Sequence, residues 1–171
     1  MKRTRFLVQC ALIAAAYAAL TLLLSPLSFG PLQARLSETL TVLAYFSPAA
    51  VAGLSVGCAI ANLWSPFGIL DIVFGTLATL IGALATYAMP KKGFWRFLAP
   101  LPSVLSNAFI IAGVLTFAAT GQEPSLALYL TELLSIGLPQ LLICYLAGLP
   151  LLLFLQQSGL AQKFLSKGDQ K

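Results

Sequence analysis

Residues 6–24 read FLVQCALIAAAYAALTLLL, nineteen residues without a charge. At 1.5 Å per residue an α-helix of that length covers about 28 Å, close to the ~30 Å hydrocarbon core of a bilayer. The run therefore predicts a membrane-spanning helix. Residues 70–89 and 97–119 are also long and apolar enough, the first of them opening with Asp71 near the interface. The stretch 36–64 is too long for one crossing and short for two, and Pro48 divides it into pieces of 12 and 17 residues. The last stretch, 126–157, contains Gly137-Leu138-Pro139 and Gly148-Leu149-Pro150, each a candidate kink because proline removes a backbone hydrogen bond.

Composition agrees. Of 171 residues 59% are hydrophobic and 9% charged, whereas soluble domains carry about a quarter charged residues. A soluble core of this size cannot bury so much apolar surface. The same balance excludes a disordered chain, a disulfide scaffold and a nucleic-acid-binding domain inferred from the +5 charge. With no histidine in the chain, mechanisms that need an imidazole base or ligand are also excluded.

Charge asymmetry chooses between five spans and six. Lys2, Arg3 and Arg5 place the N-terminus (1–5) in the cytoplasm. Six spans put Lys91, Lys92 and Arg96 on the same side, together with the basic tail 158–171 that carries Lys163, Lys167 and Lys171. Nine of the ten cations are then inside, the exception being Arg35, while Glu38, Asp71, Glu123 and Glu132 fall at or near the outer side. The expectation is one all-α integral membrane domain over 1–171, with six transmembrane helices of which the second, third and sixth are short or interrupted. The first segment also resembles a signal peptide, but its apolar run is longer than the roughly 7–15 residues of such a region, and further spans follow.

Three outer segments hold nearly all the polar groups that are not simple surface charges. Gln33-Ala34-Arg35-Leu36-Ser37-Glu38 sets Arg35 and Glu38 three apart, either a structural ion pair or two site residues. Asn62-Leu63-Trp64-Ser65-Pro66-Phe67-Gly68-Ile69-Leu70-Asp71 interrupts helices on both sides, which at membrane depth is tolerated only against protein or a water-filled cavity. Asp71 is open to two readings, a helix cap or a site residue. Glu132 and Gln140, eight apart, fall on roughly one face of the final helix, and Asn107 lies midway through the fifth span, facing either a neighbouring helix or a ligand. Trp64, Phe67 and Phe74 supply either a stacking surface or packed core. Glu123 reads as a solvated loop residue. Cys10, Cys58 and Cys144 have no paired spacing and read as small buried side chains rather than ligands, so no metal site is expected. Ala11, Ala15 and Ala19, with Ala14 and Ala18 beside them, form a flat strip on which another helix can pack; Gly53 and Gly57 form a second small pair.

At these residues the chain resembles the queuosine-precursor transporter (QueT) family, substrate-binding S-components of energy-coupling-factor (ECF) transporters. The resemblance runs through the alanine repeat, the Gln33 to Glu38 segment, and Asn62 through Pro66-Phe67-Gly68 to Asp71 and Phe74-Gly75-Thr76. It implies a six-helix fold in the bacterial cytoplasmic membrane that binds a small nutrient from outside and associates with a membrane coupling subunit and two ATPases. The alanines Ala11, Ala14, Ala15, Ala18 and Ala19 would be the docking strip. The substrate implied is a 7-deazaguanine such as 7-aminomethyl-7-deazaguanine or queuine, met by Arg35, Glu38, Asn62, Trp64, Phe67, Asp71, Asn107, Glu132 and Gln140. No catalytic residue and no cofactor is expected in the chain; the ATP belongs to the partner ATPases, and no G-x-x-x-x-G-K-[ST] phosphate loop is present. Competing readings are an S-component for another vitamin or micronutrient, a non-transport assembly protein, and an intramembrane enzyme; the last lacks histidine, a close carboxylate pair in sequence and any metal-ligand run.

Overall fold

The computed structural model describes residues 2–30, 34–119 and 123–160, so Gln33 and most of the basic tail lie outside the described residues. Seven α-helices and no strand occur among the described residues. Helix α1 (Lys2–Leu23) leads through the short α2 (Ser25–Ser28) to a 3-10 helix, Leu36–Tyr45, followed by α3 (Pro48–Asn62). A π-helical turn, Asp71–Gly75, opens α4 (Thr76–Ala88). A 3-10 turn at Gly93–Leu98 precedes α5 (Leu101–Val114), which continues as a π turn, Leu115–Ala119. Helix α6 (Leu126–Ile143) runs through a third π turn, Cys144–Gly148, into α7 (Leu149–Gln157). Four helical runs are long and apolar enough to cross a membrane: Arg3–Leu23, Asp71–Ala88, Gly93–Ala118 and Leu126–Gln157.

The chain does break at Pro48. Ser47 is extended, its hydroxyl accepts the Ala49 N–H at 3.2 Å, and Pro48 occupies the first turn, where its missing N–H costs nothing. The piece before the break is a ten-residue 3-10 helix, longer than such helices usually run. Its composition explains this locally. Ser37, Thr39 and Thr41 are weak α-formers, and the Thr39 and Thr41 hydroxyls donate to the carbonyls three residues back, Leu36 O at 2.7 Å and Glu38 O at 2.6 Å. Tertiary burial does the rest, since Ser37, Glu38, Thr39, Thr41, Val42, Ala44 and Tyr45 are all buried. This segment is the axis of the bundle, touching α1, α3, α4, α6 and α7.

Pro139 lies inside α6, and the run to Gln157 stays helical through the π turn. The Leu149 N–H reaches back five residues to Cys144 O, the wider π spacing, and so absorbs the register change. At the far end of the 3-10 helix, the Tyr45 hydroxyl donates to Pro90 O at 2.8 Å. There the Lys91 ammonium donates to Tyr87 O at 2.6 Å and lies 4.2 Å from the Tyr45 ring centroid.

Helix α3 approaches α1 more closely than any side chain would permit. A Cβ on Gly53 would stand 2.7 Å from the Cys10 carbonyl oxygen, and one on Gly57 would stand 2.7 Å from that of Ala14 and 2.9 Å from Tyr17 Cβ. This contact divides the alanine strip. Ala14 and Ala18 are buried inside the chain, while Ala11, Ala15 and Ala19 remain exposed. Of the five alanines expected to form one strip, Ala14 and Ala18 are thus turned into the chain, Ala14 against Gly57, and Ala11, Ala15 and Ala19 are left on the surface.

Gly57→Val adds a branched side chain at this seam, and over-packing of this kind costs about 1–3 kcal/mol. Thermal unfolding of the detergent-purified protein should show a melting temperature several degrees lower. An unchanged melting temperature would mean that α1 and α3 do not meet at this spacing.

Candidate functional site: a buried polar cluster

The site is built where the 3-10 helix enters the bundle. Arg35 stands just before it with extended backbone (φ −82°, ψ 101°), which takes its side chain off the helix face that carries Glu38. Its Nη2 donates to Asp71 Oδ2 at 3.0 Å, and both residues are at least 95% buried. The Arg35–Glu38 ion pair expected as one reading is thus replaced by Arg35–Asp71. Asp71 does not act as a helix cap either. Its Oδ2 accepts the Ser65 hydroxyl at 2.5 Å besides the guanidinium, and Ser65 Oγ in turn accepts the Phe67 N–H at 3.2 Å. The turn that Pro66 and Gly68 (φ 59°) impose folds Ser65 back over Asp71 in this way.

Asn62, fully buried at the end of α3, donates from Nδ2 to the Asp71 carbonyl at 2.7 Å. Gly75 makes room for it. A Cβ there would stand 2.7 Å from Asn62 Nδ2 and 3.5 Å from Arg35 Nη1. The ring of Phe29 lies 5.4 Å from the guanidinium carbon, within cation–π range.

Glu38 forms a second centre. Its Oε1 accepts hydrogen bonds from the hydroxyls of Tyr17 and of Thr79 (3.0 Å), and its Oε2 accepts one from Ser103 at 2.7 Å. Those donors sit on α1, α4 and α5, so one carboxylate ties the central segment to three helices. Cys58 links the two centres, its sulfur lying 3.3 Å from Thr79 Oγ1, 3.4 Å from Asn62 Nδ2 and 4.0 Å from Arg35 Nη1. The single Thr79 proton goes to the carboxylate, which is the stronger acceptor. Next to this, the Thr21 hydroxyl reaches Ser37 Oγ at 2.7 Å.

Besides Ser28 Oγ on α2, five buried side-chain polar atoms have no hydrogen-bond partner among the described residues: Asn62 Oδ1, Thr76 Oγ1, Asn107 Nδ2, Thr116 Oγ1 and Gln140 Nε2. They come from five elements: α3, α4, α5, the π turn after α5, and α6. A buried polar group left unpaired costs about 1–3 kcal/mol, and each calls for an explanation such as a water or a ligand.

Of the residues singled out from the sequence, Arg35, Asn62 and Asp71 meet directly, and Glu38 joins them through Thr79 and Cys58. Glu132 is half-buried on α6, with only a long 3.5 Å contact from Ser135 on the same helix. Trp64 lies apart from these residues. It is 63% exposed on the outer surface of its turn and outside the cluster, because Ser65 takes the inward position there. Phe67 packs against the core of Ile111, Ala112, Leu115 and Ile136, and Phe74 is 38% exposed. Cys58 is buried as expected, but among polar neighbours. Tyr17, Cys58, Ser65, Thr79 and Ser103 were not singled out for this site, since each is an isolated polar side chain within an apolar or turn segment. Their one common signal is a hydroxyl or thiol in a segment otherwise bound for burial. No cluster of metal-ligating residues occurs among the described residues.

Removing one partner of a buried ion pair leaves the other charge uncompensated, at a cost of about 3–5 kcal/mol, whereas replacing both by apolar residues costs far less. Arg35→Leu and Asp71→Leu should each lower the thermal stability of the purified protein sharply, and the double substitution should recover much of the loss. Additive losses in the double variant would mean that the pair is not coupled.

The family model for the QueT transporter matches residues 7–157. The chain is also 35% identical over 100 residues to the queuosine precursor transporter QueT of Lactococcus lactis subsp. cremoris (strain MG1363), an alignment that covers 55% of this chain and 59% of that relative. The chain thus spans about three fifths of the length of the curated relative it matches. No solved structure matches it. A match over nearly the whole length, on a bundle of apolar helices with a polar site at its centre, establishes that the chain belongs to the QueT transporter family.

Proposed function

We propose that the chain is the substrate-binding S-component of an ECF-type importer and that its substrate is a 7-deazaguanine precursor of queuosine. The observation that supports this reading is the buried Arg35–Asp71 pair with Asn62 bonded to it, in a bundle whose other helices also bury amides with an unpartnered atom. Their chemistry suits a planar lactam. Asn107 Nδ2 and Gln140 Nε2 are donors for its ring carbonyl, and Asn62 Oδ1 is an acceptor for a ring N–H or an exocyclic amine. The adjacent donors of the deazaguanine edge also suit a carboxylate, which accepts two parallel bonds. Asp71 and the half-buried Glu132 are the candidates for that contact. Glu38 is a poorer one, because both of its oxygens already accept bonds inside the bundle. An S-component for another nutrient remains the alternative, since a fold of this kind does not fix the ligand.

In this reading the 3-10 helix and α3 are the second and third crossings. At 2.0 Å per residue in the first and 1.5 Å in the second they reach about 20 and 22 Å, short of the ~30 Å core, so they depend on protein neighbours at their ends. With the four long runs they make six crossings. Both termini and the Lys91, Lys92 and Arg96 loop then face the cytoplasm, and the protein sits in the bacterial cytoplasmic membrane. The work of transport falls to a coupling subunit and two ATPases, which use the ATP. The exposed triplet Ala11, Ala15 and Ala19 is the surface proposed for the coupling subunit, since small side chains allow close helix approach.

Thermal stabilisation by ligand tests the substrate, because a binder gains RT ln(1 + [L]/Kd), about 2.7 kcal/mol at a hundredfold excess over Kd. Purified protein should be stabilised by 7-deazaguanines and not by unrelated vitamins; stabilisation by a vitamin alone would favour the alternative. Asn62→Ala and Gln140→Ala should each weaken deazaguanine binding about tenfold in calorimetry, the loss of a buried hydrogen bond. Ala15→Trp should abolish uptake and co-purification with the coupling subunit while sparing ligand binding in the isolated protein. Intact complex formation in that variant would remove the triplet from the interface.

A further inference from the structure

The buried charges do not cancel. Among the described residues the buried Arg, Lys, Asp and Glu side chains are Arg35, Glu38 and Asp71, two carboxylates against one guanidinium. Asp71 engages the guanidinium at 3.0 Å. Glu38 is left with hydroxyl partners only, those of Tyr17, Thr79 and Ser103. Three donors satisfy its lone pairs, but dipoles do not neutralise a net charge. Helices α5, α6 and α7 offer no remedy, for the sequence has no Lys or Arg between Arg96 and Lys163, and half-buried Glu132 adds a further negative charge. In a water-poor interior the field of such a charge reaches well beyond hydrogen-bond distance.

That field is directed at the proposed site. Thr79 touches both Glu38 (3.0 Å) and Cys58 (3.3 Å), and Cys58 touches Asn62 (3.4 Å), so the excess charge lies a few side chains from the unpartnered acceptor Asn62 Oδ1. We infer that the site selects its ligand by charge and prefers a monocation, with Glu38 setting the preference from inside the bundle rather than by touching the ligand. This deepens the proposed function and rests on it. Of two 7-deazaguanines of equal shape, one ending in an ammonium and one in a hydroxyl, the cation binds more tightly. Glu38 is in this sense a positioning residue whose effect is electrostatic.

Calorimetry on the full chain with 7-aminomethyl-7-deazaguanine and its neutral 7-hydroxymethyl analogue tests this. The expected result is binding of both, at least about tenfold tighter for the cation, with the gap falling to about twofold or less in Glu38→Gln. Equal affinities in the unmodified protein would overturn the charge preference while leaving the deazaguanine reading intact. Binding of neither would instead overturn that reading. A gap that persists in Glu38→Gln would overturn the role assigned to Glu38, and the comparison in the unmodified protein decides the preference even where that variant does not fold.

Discussion

A carboxylate buried to zero exposure holds this bundle together. Glu38 lies on the central 3-10 helix and accepts hydrogen bonds from hydroxyls on α1, α4 and α5, which converge on its two oxygens. An ionised group in hydrocarbon is costly, so the three helices must stand where their donors reach it. Apolar contacts with neighbouring helices do not impose such a demand, because lipid tails are as apolar as leucine and give helices little reason to prefer one another. Polar convergence therefore supplies much of the specificity of the fold.

Close approach makes that convergence possible. Tyr17 reaches Glu38 because Gly53 and Gly57 let α3 settle against the backbone of α1 near Cys10 and Ala14. On α5, Ser103 approaches α4 at Gly82, where a Cβ would stand 2.6 Å from Ser103 Cα. Gly75 does the same for Asn62 and Arg35. In each case a missing side chain sits beside a hydrogen bond of the cluster, so packing and polar satisfaction are one design.

Three of the five irregular helical segments meet around the same centre. The 3-10 helix carries Glu38, the π turn Asp71–Gly75 carries the partner of Arg35, and the π turn Cys144–Gly148 packs against the 3-10 segment, where Gly148 faces the carbonyl of Thr39. Departures from α geometry redirect side chains and free backbone groups, which is useful at a binding site and costly elsewhere. The amides of Asn62, Asn107 and Gln140, each with one buried atom unpartnered, are carried instead by the regular helices α3, α5 and α6.

Much was legible from residue order alone. Uncharged runs of bilayer length, the break at Pro48 and the polar segments around Arg35 and Asn62-to-Asp71 all follow from local composition, which acts over a few residues. The partners did not follow. Arg35 and Glu38 stand three apart in sequence and pair with different groups, because the extended backbone at Arg35 separates their directions. Trp64 and Ser65 are neighbours, yet one faces outward and the other binds Asp71. The alanine strip reads as a single surface in sequence, and the approach of Gly53 and Gly57 divides it into a buried and an exposed row. Tyr17, Glu38, Thr79 and Ser103 share no motif, since nothing in a sequence encodes the distance between side chains dozens of residues apart. The length of the uncharged runs makes these helices apolar enough to cross a membrane; which polar groups meet is settled only in the packed bundle, because burial brings donors and acceptors from distant segments within hydrogen-bond reach.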